Sequence, residues 1–461
     1  MTTRFLSTVL ALTLACAPVQ TVAAPSTVKL RGYITARPDA QTLQILADDI
    51  HLQPSTHLEI QNPETGSLGK LRLESLVPGI LIEAEGRWTE RHQFLAEKIT
   101  CDASQFDRTI KEHAYVQTEP ANESALIAGK NARLEVDGEI LQLDGQTERE
   151  WHRQAPSVSS ISDKPETQTG LLGRQVRYAG IRQADGTIAA VRVELGPPAP
   201  ADAYKMPGGL AVVQTSDPQT KIPILEFRKG EKVRGRVKLF DVKEVQEYVS
   251  RLGLSLLPPA NNVTARTLEF RFFVVEDPQI NAAALPDGTI LVNTGLLGAM
   301  ENESQLAFVL SHEIAHVLQA HYWREVNETR AKRVALLVAG VAGTVFVGSI
   351  ALFLSELGMA AVVNGYSRRI ENQADRLGMQ NVIDHGYDPR QAEGTFRTFI
   401  DHYGNRSTSA LWSNHDSSVL RGSFLHVQLA REYPQGQFDG AVVNTAQFQS
   451  MEEAMGPVKI M

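Results

Sequence analysis

The sequence predicts an α+β chain, in which an all-β N-terminal part precedes a mainly helical C-terminal part with a small sheet. Three observations lead to this reading. From residue 27 to about 196, runs such as "TVKLRGYITA" and "TLQILADDIHL" alternate apolar and polar residues between Pro, Asp and Gly, the two-residue period of half-buried strands. After residue 230, "DVKEVQEYVSRLGLSLLPP" has helical periodicity and stops at Pro258-Pro259, and "NGYSRRIENQADRLGM" is strongly helical. Between the two parts, "GPPAPADAYKMPGG" at 196–209 has the composition of a linker. With 461 residues, 43% apolar and 21% charged, the chain has room for two or three globular domains.

The first 24 residues are expected to be a signal peptide. They carry one early charge, Arg4, then an apolar run from Phe5 to Ala15 and a stretch of small residues, too short to span a bilayer as a mature helix. Export to the periplasm follows. "LTLAC" resembles a permissive bacterial lipobox with Cys16 as the lipid-anchored residue, although Thr13 sits where Leu is usual; cleavage after "VAA" is the alternative. Cys101 is the one other cysteine, so no disulfide framework or thiolate zinc site is expected. A net charge of -8 argues against nucleic acid as the main partner.

Within the β part a weak repeat divides residues 27–102 from 128–196. The stretch ending at Cys101 aligns without gaps on the stretch ending at Leu195, with Gly86 matching Gly180 and Ile99 matching Val193. Each half opens on a strand-Gly-strand element, around Gly32 and Gly138. Two tandem barrels would explain the pattern, and they resemble the OB-like barrels of exported bacterial proteins, here read as docking or spacing modules. Residues 197–230 are expected as linker, and 231–461 as the helical domain.

In that last domain "RTLEFRFFVVED" reads as a strand, and "AALPDGTILVNTGLL" as a turn at Pro286-Asp287-Gly288 followed by a strand. A helix then opens near Asn302, with Gln305 placed for a capping-box-like start. It carries "SHEIAHVLQAH". His312 and His316 are four apart, on one helix face, where two imidazoles can hold one ion. Glu313, beside the first of them, can take a proton from the attacking water. A catalytic zinc needs a third protein ligand. His321 is off by one from the spacing that the three-histidine pattern demands, and on a continuous helix it lies rotated well off the ligand face. Downstream, Glu371 and Asp375 again share a helix face. Glu371 could complete the set, with Asp375 accepting a ring N–H from a ligating histidine; alternatively Glu371, near Arg368 and Arg369, belongs to a solvated face.

"LSHEIAHVLQAH", "YSRRIENQADRLGM" and "INAAALPDGTILVNTGLL" together resemble the metallopeptidase family of the CAAX prenyl endopeptidases and HtpX-type proteases, in its soluble exported bacterial branch. The resemblance covers roughly residues 235–425. It implies a gluzincin fold with one Zn2+ on His312, His316 and Glu371, Glu313 as general base and Asp375 behind the ligands. It also implies that His415 and Arg421, six residues apart as in the family's His-Pro segment, stabilise the oxyanion; Asp416 stands here in place of the proline. The segment "AALPDGTILVNTG" resembles the family's edge strand, which a protein or peptide substrate would extend as an added strand.

The apolar run 334–354 has 21 residues without a charge, enough for a membrane span. A single span would put Glu371 and the two histidines on opposite sides of the bilayer. Two spans need about 40 helical residues, and only 33 separate Val334 from Tyr366 inclusive. A buried hairpin, or a flap touching the membrane surface, is therefore expected. The reading is a zinc endopeptidase acting on unfolded or misassembled envelope proteins; the alternative is a zinc-stabilised chaperone or assembly factor.

Overall fold

A computed structural model describes residues 27–62, 65–103, 109–115, 129–136, 139–151, 174–183, 185–258, 268–326, 354, 366–403, 418–436 and 438–460. The expected signal peptide, Cys16, His415 and the apolar run 334–354 (Leu354 apart) lie outside these residues.

The first β unit comprises β1 (Val28–Tyr33), β2 (Thr42–Ile45), β3 (Asp48–Gln61), β4 (Leu68–Lys70), β5 (Leu81–Glu90) and β6 (Gln93–Asp102). Its strand order is β1-β5-β6-β3-β2, with β4 added on β3 and β3 parallel to β6. Just past β1, Ala36 bridges back to Gln44 of β2, joining the two ends of the sheet. Alternate residues point inward, so Leu43, Ile45, Ile50, Ile82, Phe94 and Ile99 form one core.

The second unit comprises β7 (Thr109–Tyr115), β8 (Ala132–Val136), β9 (Glu139–Leu143), β10 (Glu148–Trp151), β11 (Arg174–Arg182) and β12 (Ile188–Pro198). Its order is β7-β11-β12-β9-β8, with β10 also paired to β12. The topology of the first unit recurs, β9 and β10 together taking the place of the long β3. The matched glycines have one job in both. Gly86 and Gly180 each follow a register shift opposite an alanine, Ala96 and Ala190. A Cβ on Gly86 would lie 2.0 Å from the Leu95 carbonyl oxygen, and one on Gly180 2.6 Å from that of Ala189. A close backbone approach at a bulge therefore excludes any side chain. Buried Cys101 and buried Leu195 occupy matching positions, so Cys101 serves as an apolar core residue.

Two boundaries differ from the sequence reading. The second unit starts at β7, ahead of residue 128, because "TIKEHAY" is too polar to announce a strand. The stretch 197–230, expected as linker, carries β13 (Ala211–Ser216) and β14 (Pro223–Lys229), which form an antiparallel meander with β15 (Lys232–Lys238). The Pro and Gly signal ends at Gly209; beyond it Leu225 and Phe227 are fully buried.

The C-terminal part opens with α1 (Lys243–Ser255) packed on β16 (Arg271–Val275). Then come β17 (Ala282–Ala284), β18 (Thr289–Asn293), α2 (Thr294–Ala299), α3 (Glu303–Leu318), α4 (Arg368–Asp384), α5 (Arg390–Tyr403), α6 (Ser418–Glu432) and α7 (Ala446–Met455). The small sheet runs β16-β18-β17, which leaves β17 at an edge beside α3. Helices and sheet share a core that includes Phe272, Val292, Phe308, Met379 and Phe396. Among the described residues no helix is long and apolar enough to cross a membrane.

Both β units touch the helices. Val419 of α6 joins the core of the first unit, and the Tyr33 backbone N–H donates to Ser423 Oγ at 2.9 Å. In the second unit, buried Glu139 accepts two bonds from Arg182, at 2.6 and 2.8 Å, and lies 3.7 Å from Arg376 of α4. Glu432 of α6 faces the same cluster, and burial followed by the charge of Glu139 pushes its carboxyl up to about 7. The folded state therefore holds this proton more tightly than the unfolded chain, and stability is lost as pH rises from about 4.5 through 7. Relative to wild type, Glu432→Gln should be more stable at pH 8 than at pH 4.5 by about 1–3 kcal/mol, read from urea melts at the two pH values.

Candidate metal centre

The centre begins with the start of α3. Asn302 caps it, its side chain accepting from the Gln305 backbone N–H at 3.0 Å, while Gln305 Oε1 accepts from the Glu301 N–H. The helix is buried on all sides. One turn apart, His312 and His316 bring their Nε2 atoms to 2.9 Å from each other. Glu371, in the first turn of α4, places its carboxylate oxygens 3.6 Å from His312 Nε2 and 3.8 Å from His316 Nε2. The approach of α4 to α3 is tight at Gly378, where a Cβ would lie 3.1 Å from the His312 nitrogen.

The donor set suits a divalent cation of borderline softness. One atom from each of His312, His316 and Glu371 lies within 4.8 Å of the other two, and all three residues are buried. The second nitrogen of each ring is engaged elsewhere. His312 Nδ1 is 3.0 Å from Asp375 Oδ1, and His316 Nδ1 is 2.8 Å from His321 Nδ1. That leaves both Nε2 lone pairs for an ion, and two imidazoles with one carboxylate are a zinc set that keeps a position open.

The surroundings tune these groups. Arg421 of α6, 1% exposed, donates to Asp375 through Nε at 2.9 Å and Nη2 at 2.7 Å. Burial alone would raise the Asp375 carboxyl; Arg421 and His312 outweigh it and hold the group at about 2. Arg421 Nη1 also lies 3.5 Å from Glu371 Oε2, and the guanidinium sits over the Phe396 ring. The guanidinium thus faces the Glu371 carboxylate of the candidate site and the Asp375 carboxylate behind it, whereas the sequence resemblance implied an oxyanion donor. His415 is outside the described residues. Glu313, next to His312, is pushed up to about 8 by burial and by Glu371, and takes a hydrogen bond from the Ala284 backbone at the end of β17. A small pocket between β17 and α3 is lined by Ala284, Leu285, Pro286, His316 and Tyr366, and the Tyr366 ring stacks on His316 at 4.4 Å.

His321 has a place that sequence reasoning missed. The helical geometry used to set it aside does not extend that far: α3 ends at Leu318, and Ala320 is in the left-handed region at φ 50. The turn swings His321 back against His316. Burial and then Arg324 drive the His321 pKa well down, so the ring is neutral. It does not join the group of His312, His316 and Glu371.

With this geometry in place, comparison with known proteins identifies its setting. Residues 243–427 match the family model described as peptidase family M48. The C-terminal region is similar to peptidase family M48. Residues 31–100 match a domain of unknown function, DUF5666. A putative beta-barrel assembly-enhancing protease of Vibrio cholerae serotype O1 is 34% identical over 169 residues, covering 34% of each chain. The beta-barrel assembly-enhancing protease of Escherichia coli K12 is 32% identical over 174 residues, 36% of this chain and 34% of that one. The mitochondrial metalloendopeptidase OMA1 of Schizosaccharomyces pombe is 30% identical over 175 residues, 38% of this chain and 50% of that one. The chain thus spans about a third of the length of the first two relatives. The M48 match covers α3 and α4, which carry His312, His316 and Glu371, and reaches into α6.

If the M48 region holds zinc through these residues, Glu371→Gln should lose most of its bound metal. Asp375→Asn should weaken zinc about 10–100-fold while still binding it. Competition with a chromophoric chelator on the purified full chain measures both.

Proposed function

We propose that this chain is a zinc-dependent endopeptidase of the bacterial cell envelope, hydrolysing peptide bonds of unfolded or misassembled proteins. The observation that carries the proposal is the convergence of two imidazole Nε2 atoms and the Glu371 carboxylate beside Glu313, next to an edge strand. The envelope setting and the quality-control role draw on the printed names of the assembly-enhancing relatives and on the export signal read from the first 24 residues. The narrower likeness to the CAAX and HtpX-type branch belongs to the same proposal.

Zinc in this position would supply Lewis acidity, polarising the scissile carbonyl and making water easier to deprotonate. The chain's own residues do the rest. His312, His316 and Glu371 hold the ion, and Asp375 fixes the His312 ring while Arg421 fixes Asp375. Glu313 takes the proton from the attacking water and passes it to the departing amine. Its raised affinity for a proton in the metal-free protein suits a group that must give the proton back, and a dication beside it would lower that affinity. An extended peptide would pair with β17, which sets its scissile bond beside Glu313. His415 is proposed as an oxyanion donor on the resemblance alone, and Arg421 as the residue that holds the two carboxylates.

The two N-terminal units are proposed as OB-like barrels that dock substrates or space the catalytic region. The shared strand order, the parallel β3–β6 pairing and the Ala36–Gln44 bridge support this. Contact of the apolar run 334–354 with the membrane surface is part of the same proposal.

Glu313→Gln separates an enzyme from a metal-stabilised binding protein. Wild type and variant should bind about one zinc per chain, and casein cleavage should fall about 10²–10⁴-fold in the variant. Equal zinc with no cleavage by either protein would favour the chaperone or assembly-factor alternative.

A further inference from the structure

We infer that His321 is the positioning residue for His316: its ring nitrogen Nδ1 accepts the Nδ1–H of His316 and so aims His316 Nε2 at the metal. This rests on the metal-site reading above. The two ligating histidines are supported from behind by different chemistry. His312 leans on a carboxylate, Asp375, at 3.0 Å; His316 leans on His321, ring nitrogen to ring nitrogen, at 2.8 Å.

The hydrogen bonds beyond that pair leave one consistent proton order. His321 Nε2 lies 3.0 Å from Gln373 Oε1, and the same oxygen accepts from Arg324 Nη1 at 2.7 Å. An arginine can only donate, so Gln373 must present its carbonyl oxygen to both neighbours. His321 must therefore carry its proton on Nε2 to donate to that oxygen. Two ring nitrogens 2.8 Å apart need one donor and one acceptor; a His316 that ligates through Nε2 carries its proton on Nδ1, so His321 Nδ1 is the acceptor. With Nδ1 protonated, His316 has its lone pair on Nε2, which faces His312 Nε2 and Glu371. The ring that supports the second ligand is thereby held from behind by Gln373, whose oxygen is in turn fixed by Arg324.

The backbone is shaped for the contact. Ala320 occupies the left-handed region at φ 50, a conformation that residues with a Cβ rarely adopt. It ends the helical path so that His321 turns back one position after the bend. His321, Gln373 and Arg324 are all buried, at 0%, 1% and 1% exposure. Gln373 sits on α4 between Glu371 and Asp375, so the helix that supplies the third ligand also orients the second.

The test compares full-length wild type with His321→Phe and His321→Asn. Phe keeps the ring and removes the acceptor. Asn returns an oxygen close to the position of Nδ1. Zinc affinity is read by chelator competition, and the melting temperature of the metal-free protein is read alongside. The expected result is zinc binding about 10–100-fold weaker in His321→Phe and largely restored in His321→Asn, without a matching pattern in the metal-free melting temperatures. Unchanged affinity in a folded His321→Phe overturns the inference, as does a loss in His321→Asn as large as in His321→Phe. Histidine nitrogen–proton correlation spectra of zinc-loaded wild type decide the matter even if His321→Phe does not fold. His321 is expected as the Nε2–H form and His316 as the Nδ1–H form; the reverse at either ring refutes the inference. Wild type without bound zinc would instead bring down the metal-site reading itself.

Discussion

The structure depends first on burying charge between α3, α4 and α6. His312, Glu371, Asp375 and Arg421 are each at most 1% exposed. Removing an ion from water costs several kcal/mol even after relaxation, so such groups persist only where each is paired and hydrogen-bonded. Arg421 answers Asp375 and lies against Glu371, and Asp375 answers His312. These contacts fix the spacing of three helices. A cation bridging the two Nε2 atoms and Glu371 would complete the balance, which makes metal binding and local order one problem.

The same helices carry the connections to the β units. Arg421 belongs to α6, and two residues on either side of it Val419 and Ser423 meet the first β unit. Arg376 follows Asp375 on α4 and faces Glu139 of the second. Each β unit therefore bears on a helix that supports the centre, one through apolar packing and a backbone hydrogen bond, and one through a buried carboxylate.

Much of this was legible in the residues themselves. The i,i+4 spacing of His312 and His316, and of Glu371 and Asp375, states which side chains share a helix face, and the structure brings those four together. The Asn302 cap was readable from local chemistry, since capping acts over three residues. Gly86 and Gly180 marked the repeat because a bulge admits no side chain. What stayed hidden depends on distant partners or weak local signals. Ala320 in a left-handed turn has no sequence signature, glycine or asparagine being the usual residues there, so His321 looked rotated away. Gln373 and Arg324 are unremarkable until folding sets them against one imidazole. The strands at 211–216 and 223–229 were masked by the proline and glycine run just ahead of them.

The most direct test of the central claim is a zinc-loaded crystal of the full chain, with anomalous differences collected above and below the zinc edge. The account predicts one strong peak bonded to His312 Nε2, His316 Nε2 and Glu371 at about 2.0–2.2 Å, with His321 hydrogen-bonded to His316 and outside bonding distance of the metal. A peak bonded to His321, or one that leaves Glu371 unligated, would contradict it.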